Sequence, residues 1–175
     1  TSSSSLKKQE GTYTDLSLGY SVKLDKRDRV FMPTDGFATS FSQLLPIYAD
    51  TPYIQNAVSF SRYNSFSPNV VGAFKFFGSA INGLDDKDVR LSKRLNLNSN
   101  RLRGFESGKV GPKDGNDYVG GNYASAINLE ANLPNLLPES TKTEVGIFLD
   151  AANVWGVDYN DSALKQKDGK IRSSA

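Results

Sequence analysis

The sequence predicts an all-β fold: an antiparallel transmembrane β-barrel segment, with about six to seven strands of a larger barrel. Three observations lead there. First, Thr12, Thr14, Leu16, Leu18, Tyr20, Val22 and Leu24 share one parity, and Tyr13, Asp15, Ser17, Gly19, Ser21, Lys23 and Asp25 share the other. Alternation of period two over such a length marks a strand with one apolar and one polar face. Strands of soluble proteins usually hold about 5–6 residues, whereas tilted membrane strands need about 9–11. Second, Tyr and Phe are plentiful beside abundant Ser, Asn and Gly, a mixture suited to two-faced sheets rather than helical bundles. Third, short turns and longer loops connect the strands, an asymmetry expected of outer-membrane barrels.

The elements follow in order. After the first strand, Lys26 to Gly36 reads as a turn, with Pro33 and Asp35-Gly36 supplying its chemistry. A second strand runs from about Phe37 to Leu45, and Pro46 to Pro52 reads as a loop. The third, Tyr53 to Phe66, carries Ile54, Val58 and Phe60 on its apolar parity, along with Arg62. An arginine on a lipid face must snorkel toward an interface. Ser67-Pro68-Asn69 is a tight turn into a fourth strand, Val70 to Ala80. A long polar segment, Asn82 to Gly121, follows; loops of such length are usually functional. Alternation resumes in a fifth strand, with Ile127, Leu129, Ala131 and Leu133 on one face and Asn122, Ala124, Ala126, Asn128 and Glu130 on the other. Past a Pro-rich turn, Pro134 to Ser140, a sixth strand spans Thr143 to Trp155. There Val145, Ile147, Leu149 and Ala151 oppose Glu144, Gly146, Phe148 and Asp150. A polar loop, Gly156 to Lys170, leads to Ile171-Arg172, the start of a seventh strand. Six strands and a stub fall short of the roughly eight that close the smallest such barrels, so the chain reads as one partial barrel domain over residues 1–175.

Composition removes several function classes. Without Cys there are no disulfides or thiolate metal sites, and without His the usual general base and zinc ligand are missing. The net charge of +2 is spread along the chain, with no basic tract for nucleic acid. No apolar run reaches the roughly 18 residues of a membrane helix; the most apolar stretch, Val70 to Ile81, is broken by Gly72, Lys75 and Gly78. Thr1 to Ser5 has no signal-peptide pattern. Asp85-Asp86-Lys87-Asp88, Asp114-Gly115-Asn116-Asp117 and Asp158-Tyr159-Asn160-Asp161 are acid-rich but lack EF-hand spacing, and read as solvated loops rather than metal sites. Gly120-Gly121 has no strand–helix context for a phosphate loop. Aromatic residues near strand ends, such as Tyr20, Phe66 and Trp155, suit membrane girdles and the core of a soluble sandwich equally.

One constellation stands out. Glu130 and Asp150 share the polar face of neighbouring strands whose hairpin centres near Ser140, making them cross-strand neighbours or nearly so. Two facing carboxylates repel, and inside a barrel they call for a cation. The best partner is an arginine, whose planar fork binds carboxylates bidentately. The long loop offers Arg101 and Arg103. Gly104 permits a tight reversal there, and Phe105 has luminal partners such as Phe148. On parity and charge alone, Arg103 anchors the loop inside the barrel, or it is a solvated loop arginine above acids that line water.

Leu102-Arg103-Gly104-Phe105, then Val110-Gly111-Pro112, then Gly120-Gly121-Asn122 resemble the sixth extracellular loop of the BamA-type outer-membrane barrel-assembly family. Asn128-Leu129-Glu130, the run Phe148 to Trp155 and Ile171-Arg172-Ser173-Ser174 resemble the strands after it. Asp25-Lys26-Arg27-Asp28 with Pro33-Thr34-Asp35-Gly36 resembles a periplasmic turn of the same barrel. The matches are ordered and span Asp25 to Ser174. Where the family has paired glycines before the motif, this chain has Leu97-Asn98. Asn tolerates left-handed backbone and Leu does not readily, which bears on the path of the loop's ascending limb.

The resemblance implies a bacterial outer-membrane protein that folds and inserts other β-barrel proteins, with no catalytic residues, metal or cofactor. Its barrel has about sixteen strands, and its insertion gate lies between the first and last of them. The expected partners are unfolded outer-membrane β-barrel proteins, the lipid bilayer and, through POTRA domains absent from this chain, accessory lipoproteins; nucleic acid is not among them. It also implies that Arg103 lies inside the barrel against Glu130 and Asp150. Other readings are a TamA-like factor or two-partner secretion transporter of the same superfamily, a porin-like channel, and a soluble β-sandwich binding module. The sandwich requires the Leu16, Leu18, Tyr20 face to be buried against protein.

Overall fold

The computed structural model describes residues 11–114, 117–134, 136–137 and 145–157, together with the backbone of 164–165 and 172–174. Six long strands carry the fold: β1 (Asp15–Asp25), β2 (Gly36–Ala49), β3 (Tyr53–Ser67), β4 (Val70–Gly83), and, after the long loop, β7 (Tyr123–Leu133) and β8 (Val145–Trp155). Two-residue strands β5 (Lys113–Asp114), β6 (Asp117–Tyr118) and β9 (Leu164–Lys165), and the short β10 (Arg172–Ser174), complete the order. The main sheet is antiparallel and runs β1-β2-β3-β4-β7-β8-β10; a small sheet joins β6-β5-β9. Each long strand has 11 to 15 residues, well above the soluble norm.

The two faces are inverted relative to a soluble protein. Leu16, Leu18, Tyr20, Val22 and Leu24 point away from the loop and are exposed, as are Val58, Phe74, Ile127, Leu129, Ile147 and Leu149. Among the described residues no second sheet covers them, which removes the sandwich expectation. The opposite face, holding Ala73, Ser79, Ala124, Ala126, Asn128 and Asp150, is buried. Arg62 stands exposed on the apolar face between Phe37 and Phe74, five residues from the end of β3.

Three boundaries differ from expectation: the first strand begins at Asp15 rather than Thr12, and two others run further. The second strand does not stop at Leu45 but continues through Pro46 to Ala49. Proline fits because the ladder shifts register between Leu16 and Ser17, opposite Pro46, and a bulge tolerates a missing donor. The fourth strand likewise runs on to Gly83. The expected turn from Pro134 to Ser140 and the loop after Gly156 lie largely outside the described residues.

The turn between β1 and β2 is built by its side chains. Asp28 accepts hydrogen bonds from the Thr34 and Asp35 amides at 3.0 and 3.1 Å and from the Thr34 hydroxyl at 2.7 Å. Arg27 forks onto Asp25 through Nε and Nη2 at 2.9 and 2.6 Å. These contacts fix the hairpin that the Pro33 and Asp35-Gly36 pair predicts.

Candidate functional site

The loop between β4 and β7 folds onto the inner face of the sheet instead of standing in solvent. Its apolar residues Val89, Leu95, Leu97, Leu102 and Val110 form one cluster with Ile81, Ala124, Ala126, Ala152 and Val154. The alanines matter: small side chains on the inner faces of β7 and β8 leave room for the loop backbone. A segment that reads as polar thus supplies a core. Asp114, expected to be solvated, is buried at 7% exposure in β5, while Asp85 to Asp88 are exposed; Asp158 to Asp161 lie outside the described residues.

At the loop's deepest part Arg103 meets Asp150. The carboxylate has 0% side-chain exposure. Its Oδ2 accepts the Arg103 backbone N–H at 3.0 Å and Nε at 2.7 Å; its Oδ1 accepts Arg103 Nη2 at 2.6 Å and Asn128 Nδ2 at 2.8 Å. Two donors on each oxygen fill an ionised carboxylate's capacity. Arg103 Nη2 also lies 3.0 Å from Glu130 Oε1, and Glu130 Oε2 accepts from Lys75 Nζ at 2.7 Å. Two cations and two anions balance. Such a cluster holds firmly only while complete, because removing one partner strands a buried charge at a cost of about 3–5 kcal/mol.

The structure brings Arg103, Glu130 and Asp150 together, with two changes from the sequence reading. Glu130 pairs with Phe148 in the ladder, and Asn128 is the residue opposite Asp150. The two acids are therefore offset by two positions. Also, Phe148 takes the Arg103 guanidinium on its ring, 3.8 Å from the centroid, whereas Phe105 packs against the loop's apolar cluster. Arg101 does not reach the acids: its guanidinium covers Phe77 at 3.4 Å, and its carbonyl accepts from Asn128 Nδ2 at 3.0 Å.

The rest of the motif shapes the chain around this contact. Leu102 is buried at 1% exposure. Gly104 has φ +82°, the left-handed reversal that lets Arg103 point to the sheet and Phe105 away from Phe148. Gly111 has φ +113°, and a Cβ there would lie 2.8 Å from Val154 Cβ, so only glycine lets the returning limb, with buried Pro112, lie against β8. Gly121 exchanges backbone hydrogen bonds with Leu95 at 2.8 and 3.0 Å across the loop's neck, beside Gly120. Asn122 accepts from the Ile81 amide and donates its own to Gly156, at 2.8 and 2.9 Å. Leu97-Asn98 needs no left-handed backbone, since the non-glycine residues with positive φ are Met32, Asp85 and Asp86. Leu97 is buried, and its carbonyl accepts the Gly108 amide at 2.9 Å.

Sequence reasoning missed three partners of this site. Lys75 shares the inner parity of Ala73 and Ser79, so a charge interrupting an apolar strand was the available signal. Asn128 required the register. The third is a second anchor at the loop's other end. Arg90 Nη2 pairs with Asp15 at the start of β1 and its guanidinium covers Tyr13 at 4.2 Å; Lys93 Nζ lies 3.5 Å from the same carboxylate. Chemically the ensemble holds a strap across the inner face, from β1 at one side to β8 at the other.

Known proteins resemble this chain in sequence and in fold. The whole chain, residues 1–175, matches the Omp85 superfamily domain. The outer membrane protein assembly factor BamA of Neorickettsia risticii is 26% identical, across 94% of this chain and 23% of the relative's length. A SAM50-like protein of Schizosaccharomyces pombe is 29% identical, across 75% of this chain and 29% of its own. The crystal structure of BamA from Haemophilus ducreyi lacking POTRA domains 1–3 superposes with a TM-score of 0.75 at 24% identity, over 82% of this chain and 30% of that chain, a likeness of fold. The chain thus spans less than a third of the length of each of these relatives. With long antiparallel strands, a strap folded onto their inner face and a match over every residue, the chain belongs to the Omp85 superfamily.

Proposed function

We propose that this chain is part of an outer-membrane factor that folds and inserts β-barrel proteins, and that its strap, held by Arg103, keeps the barrel in its working shape. The observation that carries this reading is the four-fold hydrogen-bonded Arg103–Asp150 contact on the inner face of a sheet whose outer face is apolar and uncovered. A soluble protein gains nothing from that inversion, whereas a sheet bathed in lipid outside needs it. The names of the bacterial relatives and of the SAM50-like relative favour assembly over the transporter and channel readings. The reading assigns no catalytic residue and no cofactor. Clients are unfolded β-barrel proteins, and the bacterial outer membrane is the site of action. Accessory lipoproteins bind through parts of the protein beyond this chain.

The test uses the full-length protein in liposomes with an unfolded barrel protein as client. Wild type accelerates client insertion, and Arg103→Ala lowers the rate at least about tenfold, which needs only about 1.4 kcal/mol of the cost of stranding Asp150 to fall on the working conformation. Arg103→Lys restores charge without the fork and recovers only part of it. An Arg103→Ala protein that is folded and fully active overturns the role given to the strap. A wild-type protein that conducts ions but never speeds insertion overturns the assembly reading in favour of a channel.

A further inference from the structure

The apolar outer wall carries a hydrogen-bonded polar row. The ladder places Tyr20, Gln43, Asn56, Ala80, Tyr123 and Trp155 in a single cross-strand row on that wall. Within it the Tyr20 hydroxyl donates to Gln43 Oε1 at 2.8 Å, and Gln43 Nε2 donates to Asn56 Oδ1 at 2.6 Å. The chain of donation runs in one direction and ends on the Asn56 amide nitrogen, whose hydrogens meet no acceptor among the described residues. In a hydrocarbon setting an amide donor needs an acceptor.

Asn56 opens onto a groove of about 320 Å³. Its floor is small: Gly78 and Ala80 of β4 and Ser125 of β7. Phe76 borders one side, and the stacked rings of Tyr123 and Trp155, with centroids 5.8 Å apart, border the other. The groove continues the surface of Val58 and Ile127, so whatever bathes that surface fills it. Asn56 sits three residues into β3, about 10 Å along the strand from its loop end. That is close to a membrane interface and far from a bilayer's mid-plane.

From these features we infer that the groove binds one acyl chain of a membrane glycerolipid, with the lipid's ester carbonyl accepting a hydrogen bond from Asn56. The inference rests on the reading of this wall as lipid-facing. The ester carbonyl is the acceptor found at that depth, at the head of an apolar chain. The small floor admits the chain, and the aromatic borders grip its sides.

Trp155 reports on the groove from within. The full-length protein is placed in vesicles mixing brominated diester phosphatidylcholine with unbrominated diether phosphatidylcholine, which lacks the carbonyls. The Trp155 signal is taken as wild type minus Trp155→Phe. A bound ester lipid quenches it beyond the brominated mole fraction, with an enrichment of about threefold or more, within what one net hydrogen bond supplies. Gly78→Leu fills the groove; the nearest atoms to its added Cβ are side-chain atoms, the Phe76 ring at 3.3 Å and Val58 at 3.5 Å. That variant, and Asn56→Leu, bring quenching back to the mole fraction. Quenching that follows the mole fraction in wild type overturns the groove and leaves the lipid-facing wall intact, as does an enrichment that survives Gly78→Leu. No quenching at any composition overturns the lipid-facing wall itself.

Discussion

Asn128 stands directly across the β7–β8 ladder from Asp150 and gives its amide to both that carboxylate, at 2.8 Å, and the Arg101 carbonyl, at 3.0 Å. One side chain thereby joins the sheet's buried charge to the strap's backbone. Arg103 supplies the charge that Asp150 needs, and Asn128 supplies the remaining donor at Oδ1 without adding a charge of its own.

Replacing Asn128 should therefore separate geometry from charge. Asn128→Leu leaves the Asp150 oxygen and the Arg101 carbonyl each one donor short, a cost of about 1–3 kcal/mol apiece. Asn128→Asp puts a second carboxylate opposite the first, where like charges destabilise a pair, and should cost more. Thermal unfolding of the full-length protein in detergent ranks the variants: wild type, then Leu, then Asp. An Asp variant as stable as wild type would show that the site takes up an extra proton or cation freely.

Glu130 is shared between Arg103 and Lys75, at 3.0 and 2.7 Å. Deleting it leaves two cations facing one carboxylate. Glu130→Gln should then be more harmful alone than in company with Lys75→Met, which removes the surplus cation. A double-mutant cycle on unfolding free energy should return a coupling of about 0.5–3 kcal/mol, the range for residues in one network. Additive effects would mean that Lys75 is solvated in the folded protein and contributes nothing to the site.

These contacts also mark how far the sequence could be read. Strand faces were legible because period two survives without a partner: Leu16 to Leu24 point one way whatever lies beside them. The need for a cation was legible because two acids share one face, but parity and charge left Arg103 either inside the barrel or solvated, and only the family resemblance placed it inside. The register was not legible. Centring the hairpin near Ser140 sets Glu130 opposite Asp150, whereas the ladder sets Asn128 there. A slip of two residues leaves every side chain on its own face, so no alternation pattern detects it. The apolar core inside the polar loop stayed hidden for a related reason. Val89, Leu95, Leu97, Leu102 and Val110 are too widely spaced for any local period, and only the alanine floor of β7 and β8 gathers them. Pro46 misled through its usual role, because the bulge beside it, where Ile47 has no partner on β1, shows only once the two strands are paired.

The turn between β1 and β2 makes a pH prediction. Hydrogen bonds from the Thr34 hydroxyl, with the Asp35 and Thr34 amides, lower the Asp28 carboxyl from 3.8 to about 2. A lowered folded-state value means that the carboxylate's contribution is complete above 3.8 and disappears as pH falls through about 2. The turn should hold its geometry at pH 3. With carbon-labelled aspartate, and Asp28→Asn to assign the signal, the Asp28 carboxyl resonance should titrate near 2. A midpoint near the ordinary value would mean that the capping bonds are not kept in solution.

The strap's other end makes the sharpest mechanical prediction. Asp15 faces both Arg90 and Lys93, and its side chain is only 13% exposed. Lys87 adds a hydrogen bond to the Asp50 carbonyl at 2.8 Å, and Lys93 covers the Tyr53 ring at 5.8 Å. None of these groups is shared with the Arg103 cluster. Sites without common partners act nearly independently, so the two ends should loosen separately. Asp15→Asn keeps the shape of the side chain but leaves two cations without their anion. Losing a charge-assisted hydrogen bond of about 1.5–3 kcal/mol should speed amide exchange in residues 87–95 at least about tenfold. Exchange around Leu102 to Phe105 should stay within about twofold of wild type. Arg103→Ala should give the reverse pattern. If either substitution loosens the whole loop at once, the strap opens as one cooperative unit and the two ends are a single lock. If Asp15→Asn changes neither region, the packing of Val89, Leu95 and Leu97 holds that limb and the ion pairs merely decorate it.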